Sequence, residues 1–148
     1  MNLILWISAA VFALDQAAKL VAIRSLILNR PVAVIDGLFN LTLVFNTGAA
    51  FGILVNRTVI LAGISFVTIA TLVVIGIVYA REQASFRAAL GLILGGAAGN
   101  LFDRVARGYV VDYLDFFAGR YHWPAFNVAD SCICVGTFML LLYFFLKK

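Results

Sequence analysis

Charge is scarce in this chain. Asp, Glu, Lys and Arg together make up 12% of its 148 residues, against about 25% in a soluble domain. Hydrophobic residues make up 64%, and the mean hydropathy is +1.06. So few charges cannot solvate a compact surface. That excludes a soluble enzyme, a disordered tail and a nucleic-acid binder. The net charge of +4 makes no basic patch, because the eleven Lys and Arg are scattered along the chain. The solvent that suits this composition is a lipid bilayer.

Histidine and cysteine are scarce too. The single histidine, His122, stands beside Trp123 and Pro124, and neither HExxH nor GxSxG occurs. A zinc peptidase needs a cluster of ligands, and a serine hydrolase needs a serine with a base. His122 has no evident partner for either and reads as a surface or interface residue. Cys132 and Cys134 lie at i, i+2 in an apolar run. On a helix they point in different directions and match no zinc spacing, so they read as small packing residues. No metal and no cofactor is expected.

What is present is long apolar runs. A bilayer core needs about 20 apolar residues as helix, and four windows reach or approach that: 3–23, 58–80, 86–102 and 126–146. The first has no basic front end and no clear small-residue cleavage site, so it reads as a retained span. No repeat or boundary divides the chain, which is expected to form a single integral membrane domain over 1–148. Its outer loops would be 24–57 and 103–125. An even number of spans puts both termini on one side. Arg81, Arg87, Lys147 and Lys148 crowd short segments there. Arg24, Arg30, Arg57, Arg104, Arg107 and Arg120 lie in the longer loops opposite. The answer is divided: raw count favours the loop side as inside, and density beside the spans favours the side of the termini. In the first loop, Val32 to Ile35 and Leu38 to Phe45 read as strands around a two-residue Asp36-Gly37 turn. Tyr109 to Leu114 is strand-like in the second.

Polar residues at membrane depth are costly, so they carry the information. Of seven carboxylates, Asp36 belongs to a turn and Glu82 to a short loop with Arg81. Asp15 and Lys19 are i, i+4 and share a helix face. They form either an ion pair with Lys19 snorkelling outward or a contact to the site. Asn100, Asp103 and Arg104 share another face. Asp103 with Arg104 reads as a local salt bridge ending the third span, and Asn100 as a hydrogen-bonding contact to a neighbouring span. Gly95, Gly96 and Gly99 would allow that approach. Asn127 and Asp130 fit an N-cap and the third position of a helix, without any chemistry. Asp112 lies among Val110, Val111, Tyr113 and Leu114, with no cation from 109 to 119. A carboxylate there prefers to be shared, protonated or paired. Asp112 and Asp130 end the same loop and could face each other. Two facing carboxylates share one proton, so one can activate water while the other protonates the leaving amine.

Five blocks now stand in order: Asp15-Gln16 with Lys19; Phe45-Asn46-Thr47-Gly48-Ala49-Ala50-Phe51-Gly52; Gly95-Gly96-Ala97-Ala98-Gly99-Asn100-Leu101-Phe102-Asp103-Arg104; Val110-Val111-Asp112-Tyr113; and Pro124-Ala125-Phe126-Asn127-Val128-Ala129-Asp130-Ser131. Together they resemble the bacterial lipoprotein signal peptidases, the signal peptidase II family. The resemblance implies a membrane aspartic endopeptidase with four transmembrane helices, a small β-sheet cradle and a mobile loop on the outer face. Asp115 to Trp123 is the candidate loop. It implies removal of signal peptides from prolipoproteins, by cleavage on the amino side of a diacylglyceryl-modified cysteine. It assigns catalysis to Asp112 and Asp130. Substrate-binding or supporting positions fall on Asp15, Lys19, Asn46, Gly48, Gly96, Asn100, Asp103, Arg104 and Asn127. It further implies a multi-pass protein of the bacterial inner membrane with cytoplasmic termini and a site near the outer face. The partners would be prolipoprotein substrates and membrane lipid, not nucleic acid, and the protein would be a monomer. Two other classes compete: a proton-coupled transporter using Asp15, Asp112 and Asp130 as a relay, and a structural subunit whose polar residues hold helices together. A relay would grade its carboxylates through the membrane, whereas Asp112 and Asp130 sit at one interface, which favours the peptidase.

Overall fold

The structure, a computed structural model, describes residues 1–48, 55–79 and 81–147. The elements run α1 (Asn2–Ser25), β1 (Val32–Ile35), β2 (Phe39–Asn46), α2 (Thr58–Val78), α3 (Ala84–Arg107), β3 (Val110–Ala118), β4 (Tyr121–His122) and α4 (Val128–Leu146). All four helices are long and apolar enough to cross a membrane. The strands form one antiparallel sheet in the order β1-β2-β3-β4. Helices and small sheet are both as the sequence led us to expect.

Helix α3 is the hub, and it packs on α1, α2 and α4. Lipid tails supply no hydrophobic drive between spanning helices, so close backbone approach must hold them. The glycines allow it. A Cβ on Gly95 would stand 2.6 Å from the Ser8 carbonyl of α1, and one on Gly96 would stand 2.5 Å from the Ala129 carbonyl of α4. Ser8 adds a hydroxyl bond to the Gly91 carbonyl at 3.1 Å. Helix α2 is peripheral. Only Leu61 and Gly76 are buried in it, and Val59, Phe66, Val67 and Val78 face outward. That is the pattern of a helix solvated by lipid.

Three boundaries differ from expectation. Helix α3 continues past Asp103 to Arg107 and ends where Gly108 takes a left-handed conformation (φ 82°), a common helix stop. The β1–β2 turn is wider than two residues. Leu38 N–H bonds to the Ile35 carbonyl at 3.1 Å, and Ile35 pairs with Phe39. Gly37 has positive φ but Asp36 does not, so the two-residue turn with both centres left-handed cannot form. The segment expected as a loop, Asp115 to Trp123, is the end of β3, a Gly119-Arg120 turn and β4. Gly119 at φ 59° supplies the left-handed first position of that turn.

Candidate active site

The polar residues meet at the sheet end of the bundle. The register of β2 on β3 pairs Val44 with Asp112. Asn46, two residues on, is then the diagonal neighbour of Asp112 on the same sheet face, and its Nδ2 donates to Asp112 Oδ2 at 2.9 Å. The Asn46 side-chain oxygen accepts from Gly48 N–H at 2.9 Å.

Asp130 is placed by the start of α4. Asn127 and Asp130 form a capping box. Asp130 N–H donates to Asn127 Oδ1 at 3.0 Å, and Asn127 N–H donates to Asp130 Oδ2 at 3.2 Å. The capping reading of these two residues is therefore correct, but it does not exhaust them. Asn127 Nδ2 also donates to Asp112 Oδ1 at 2.7 Å, so one asparagine is bonded to both carboxylates. Asn100 of α3 donates through Nδ2 to Asp130 Oδ1 at 2.7 Å.

Behind this layer lies a second one. Lys19 is fully buried and does not snorkel. Its ammonium has three hydrogens and three partners: Asp15 at 2.8 Å, Asp103 at 2.9 Å and Asn100 Oδ1 at 2.9 Å. With Oδ1 held by Lys19, the Asn100 amide must turn its NH₂ toward Asp130. Asp15 accepts from Ala129 N–H at 3.0 Å, and Asp103 accepts from Val111 N–H at 3.1 Å. The ion network thus holds the first turn of α4 and the start of β3, the two segments that carry Asp130 and Asp112. Asp103 pairs with Lys19 and Arg107, not with Arg104 as expected. One helical turn separates Asp103 from Arg107 and brings them together.

A cavity of about 560 Å³ opens beside the carboxylates. Asn46, Gly48, Asn100, Arg104, Asp112 and Asp130 line it together with Val110, the 123–126 segment, Ser131, Ile133 and Cys134. Asp15, Lys19, Gly96, Asp103 and Asn127 do not line it; they stand behind. Arg104 donates to the Asn100 carbonyl at 3.4 Å. Asp112 is 2% exposed. Burial first, then the neighbouring Asp130, raises its carboxyl from the ordinary 3.8 to about 7, although Asn46 and Asn127 oppose the shift.

Sequence reasoning missed several contributors. Gln16 donates to Asp103 at 3.3 Å, and Arg107 pairs with Asp103. The i, i+4 spacing could have found Arg107. His122 has a partner after all: its Nδ1 lies 2.8 Å from Asp115 Oδ1. No local spacing signals that contact, because strand pairing makes it. Residues 49–52 of the second sequence block lie outside the described residues. Among those described, no group of three or more His, Cys, Asp or Glu is placed to hold a metal ion.

Four spanning helices, a sheet at one end and a buried acid pair beside a cavity define a multi-pass membrane protein with an enzyme-like site. The family model for signal peptidase (SPase) II matches residues 7–146. The lipoprotein signal peptidase of Syntrophotalea carbinolica is 46% identical over 147 residues, covering 95% of this chain and 89% of that protein. That of Geobacter sulfurreducens is 46% identical over 130 residues, covering 86% and 81%. A solved bacterial membrane enzyme superposes with a TM-score of 0.88 at 30% identity, covering 98% of this chain and 88% of that one. A second superposes at 0.85 with 29% identity, covering 97% and 93%. The chain belongs to the signal peptidase II family, and it is a peptidase.

Proposed function

We propose that this peptidase removes signal peptides from prolipoproteins, cutting on the amino side of the diacylglyceryl-modified cysteine, with Asp112 and Asp130 as its catalytic pair. One observation carries the assignment: the two carboxylates line one cavity and are both bonded to Asn127. Among the described residues, the polar cluster linked to the pair holds four carboxylates (Asp15, Asp103, Asp112 and Asp130) and three cations (Lys19, Arg104 and Arg107). A single proton on the pair makes this cluster formally neutral, the state a buried site favours.

That state supplies both halves of the reaction. The ionised carboxylate takes a proton from water as the water oxygen attacks the scissile carbonyl. The protonated one donates a hydrogen bond to that carbonyl oxygen and then protonates the leaving amine of the cysteine. Asn46, Asn100 and Asn127 keep the carboxylates aimed. Lys19, Asp15 and Asp103 hold the segments that carry them, and Gly96 lets α4 approach α3. Arg104 and Gly48 face the cavity where substrate would lie. The apolar wall at Ile133 suits an acyl-bearing substrate delivered from the bilayer. We further propose a monomeric single domain in the inner membrane, with cytoplasmic termini and the site near the outer face.

Purified protein in detergent should be mixed with a diacylglyceryl-modified prolipoprotein and, separately, with its unlipidated form, and the products weighed by mass spectrometry. Cleavage before the lipidated cysteine alone is the expected result. Equal cleavage of both forms would remove the lipid requirement from the reading.

A further inference from the structure

One buried carboxylate has no part in the chemistry above. Asp115 lies three residues after Asp112 on β3, so the two side chains leave opposite faces of the strand. Asp115 is 7% exposed. Both of its oxygens are engaged by neighbouring strands: Thr42 of β2 donates its hydroxyl to Oδ2 at 2.9 Å, and His122 of β4 sets Nδ1 2.8 Å from Oδ1. With a carboxylate as its partner, the His122 tautomer that fits this contact is the one with the hydrogen on Nδ1. The imidazole is further fixed by stacking on Phe117, with centroids 4.9 Å apart and planes 12° from parallel.

Immediately after His122 the chain becomes the cavity wall. Trp123, Pro124, Ala125 and Phe126 all line the cavity. The segment is tied to β3 at its ends. Trp123 N–H bonds to the Phe116 carbonyl at 2.8 Å, and Phe126 exchanges bonds with Leu114 at 3.1 and 2.9 Å. Between these ties Pro124 has no N–H to give. The entry angle of the wall therefore depends on where β4 is held, and β4 is two residues long with two pairs in its register. So short a strand is marginal by itself. The contact of His122 with the buried Asp115 carboxylate gives it a side-chain tie as well.

We propose that Thr42, Asp115 and His122 form a clamp that positions the Trp123–Phe126 wall for substrate binding, with His122 as a positioning residue. The inference rests on the peptidase reading above. It predicts a loss in KM and not in kcat, because the clamp touches the wall and not the acid pair.

The test compares wild type with His122→Phe, His122→Asn and Thr42→Val on the lipidated prolipoprotein, reading kcat and KM separately. His122→Phe keeps a stacking ring but loses the donor. KM should rise about five- to twentyfold with kcat within about twofold. His122→Asn, whose amide can donate near the Nδ1 position, should return KM to within about twofold. Thr42→Val should raise KM by less, about two- to fivefold, and carries the test if His122→Phe does not fold. An unchanged KM in the folded variants, a fall confined to kcat, or no rescue by asparagine would overturn the clamp. If wild type itself cuts nothing, the peptidase reading fails. The clamp then stands or falls on Trp123 fluorescence in a Trp6→Phe background: a shift in His122→Phe reversed in His122→Asn supports it, and no shift overturns it.

Discussion

At the scale of the residue, the site depends on which groups share a proton and which share a charge. Asp112 illustrates the first. Its carboxyl is raised to about 7, mainly by burial, so the folded protein holds that proton more tightly than the unfolded chain does. The stabilisation is complete below the ordinary carboxylate value of about 4 and is lost as pH rises through about 7. Thermal unfolding at pH 5 and pH 8 checks this. Wild type should lose stability over that interval relative to Asp112→Asn, by a few degrees; parallel behaviour would contradict the shift. Lys19 illustrates the second. Replacing it with Met leaves Asp15 and Asp103 buried without their shared cation. Such a break destabilises by about 3–5 kcal/mol, which denaturant unfolding in micelles would register. Asp112 was legible in the sequence because it lies among Val, Tyr and Leu with no cation from 109 to 119 and no capping role. The partners of Lys19 were only half legible: Asp15 is one helical turn away, but Asp103 arrives from another helix.

At the scale of the element, the site is a junction of segments: the C-terminal halves of α1 and α3, the first turn of α4, and β2 beside β3. Small residues set its tolerance. The close stacking of Gly96 on the Ala129 carbonyl keeps Asn100 within reach of Asp130. Gly96→Val should push α4 away, lower stability by about 1–3 kcal/mol and reduce cleavage more than about tenfold. A cleavage assay alongside an unfolding curve reads both, and near-normal cleavage would mean that the contact is dispensable. The glycine-rich stretch of α3 was readable as a packing face from its spacing. The β3–β4 hairpin was not, since Gly119-Arg120 is a weak turn signal and the pairing that makes it is tertiary. The same limit hid His122, whose partner Asp115 comes only through the hairpin.

At the scale of the whole molecule, four antiparallel spans put both termini at the end opposite the sheet. Tyr143 and Lys147 bind Glu82 there, and Lys147 foremost holds that carboxyl below its usual range. Arg104 and Arg107 belong to α3, where Arg104 lines the cavity and Arg107 pairs with Asp103, so they drop out of the loop count. Four basic residues then remain on each side, and those beside the termini lie in the shorter segments. A thiol reagent that cannot cross membranes tests the outcome, with Cys132 and Cys134 first replaced by Ser. Arg120→Cys should label from outside intact spheroplasts and Arg81→Cys only after permeabilisation. The reverse pattern would invert the proposed topology.

The central claim is that Asp112 and Asp130 act as one catalytic pair. Single-turnover cleavage of the lipidated prolipoprotein by Asp112→Asn and by Asp130→Asn tests it most directly. Each variant should remain folded and bind substrate, yet cleave at least about a thousandfold more slowly than wild type. Near-normal cleavage by either folded variant would contradict the account.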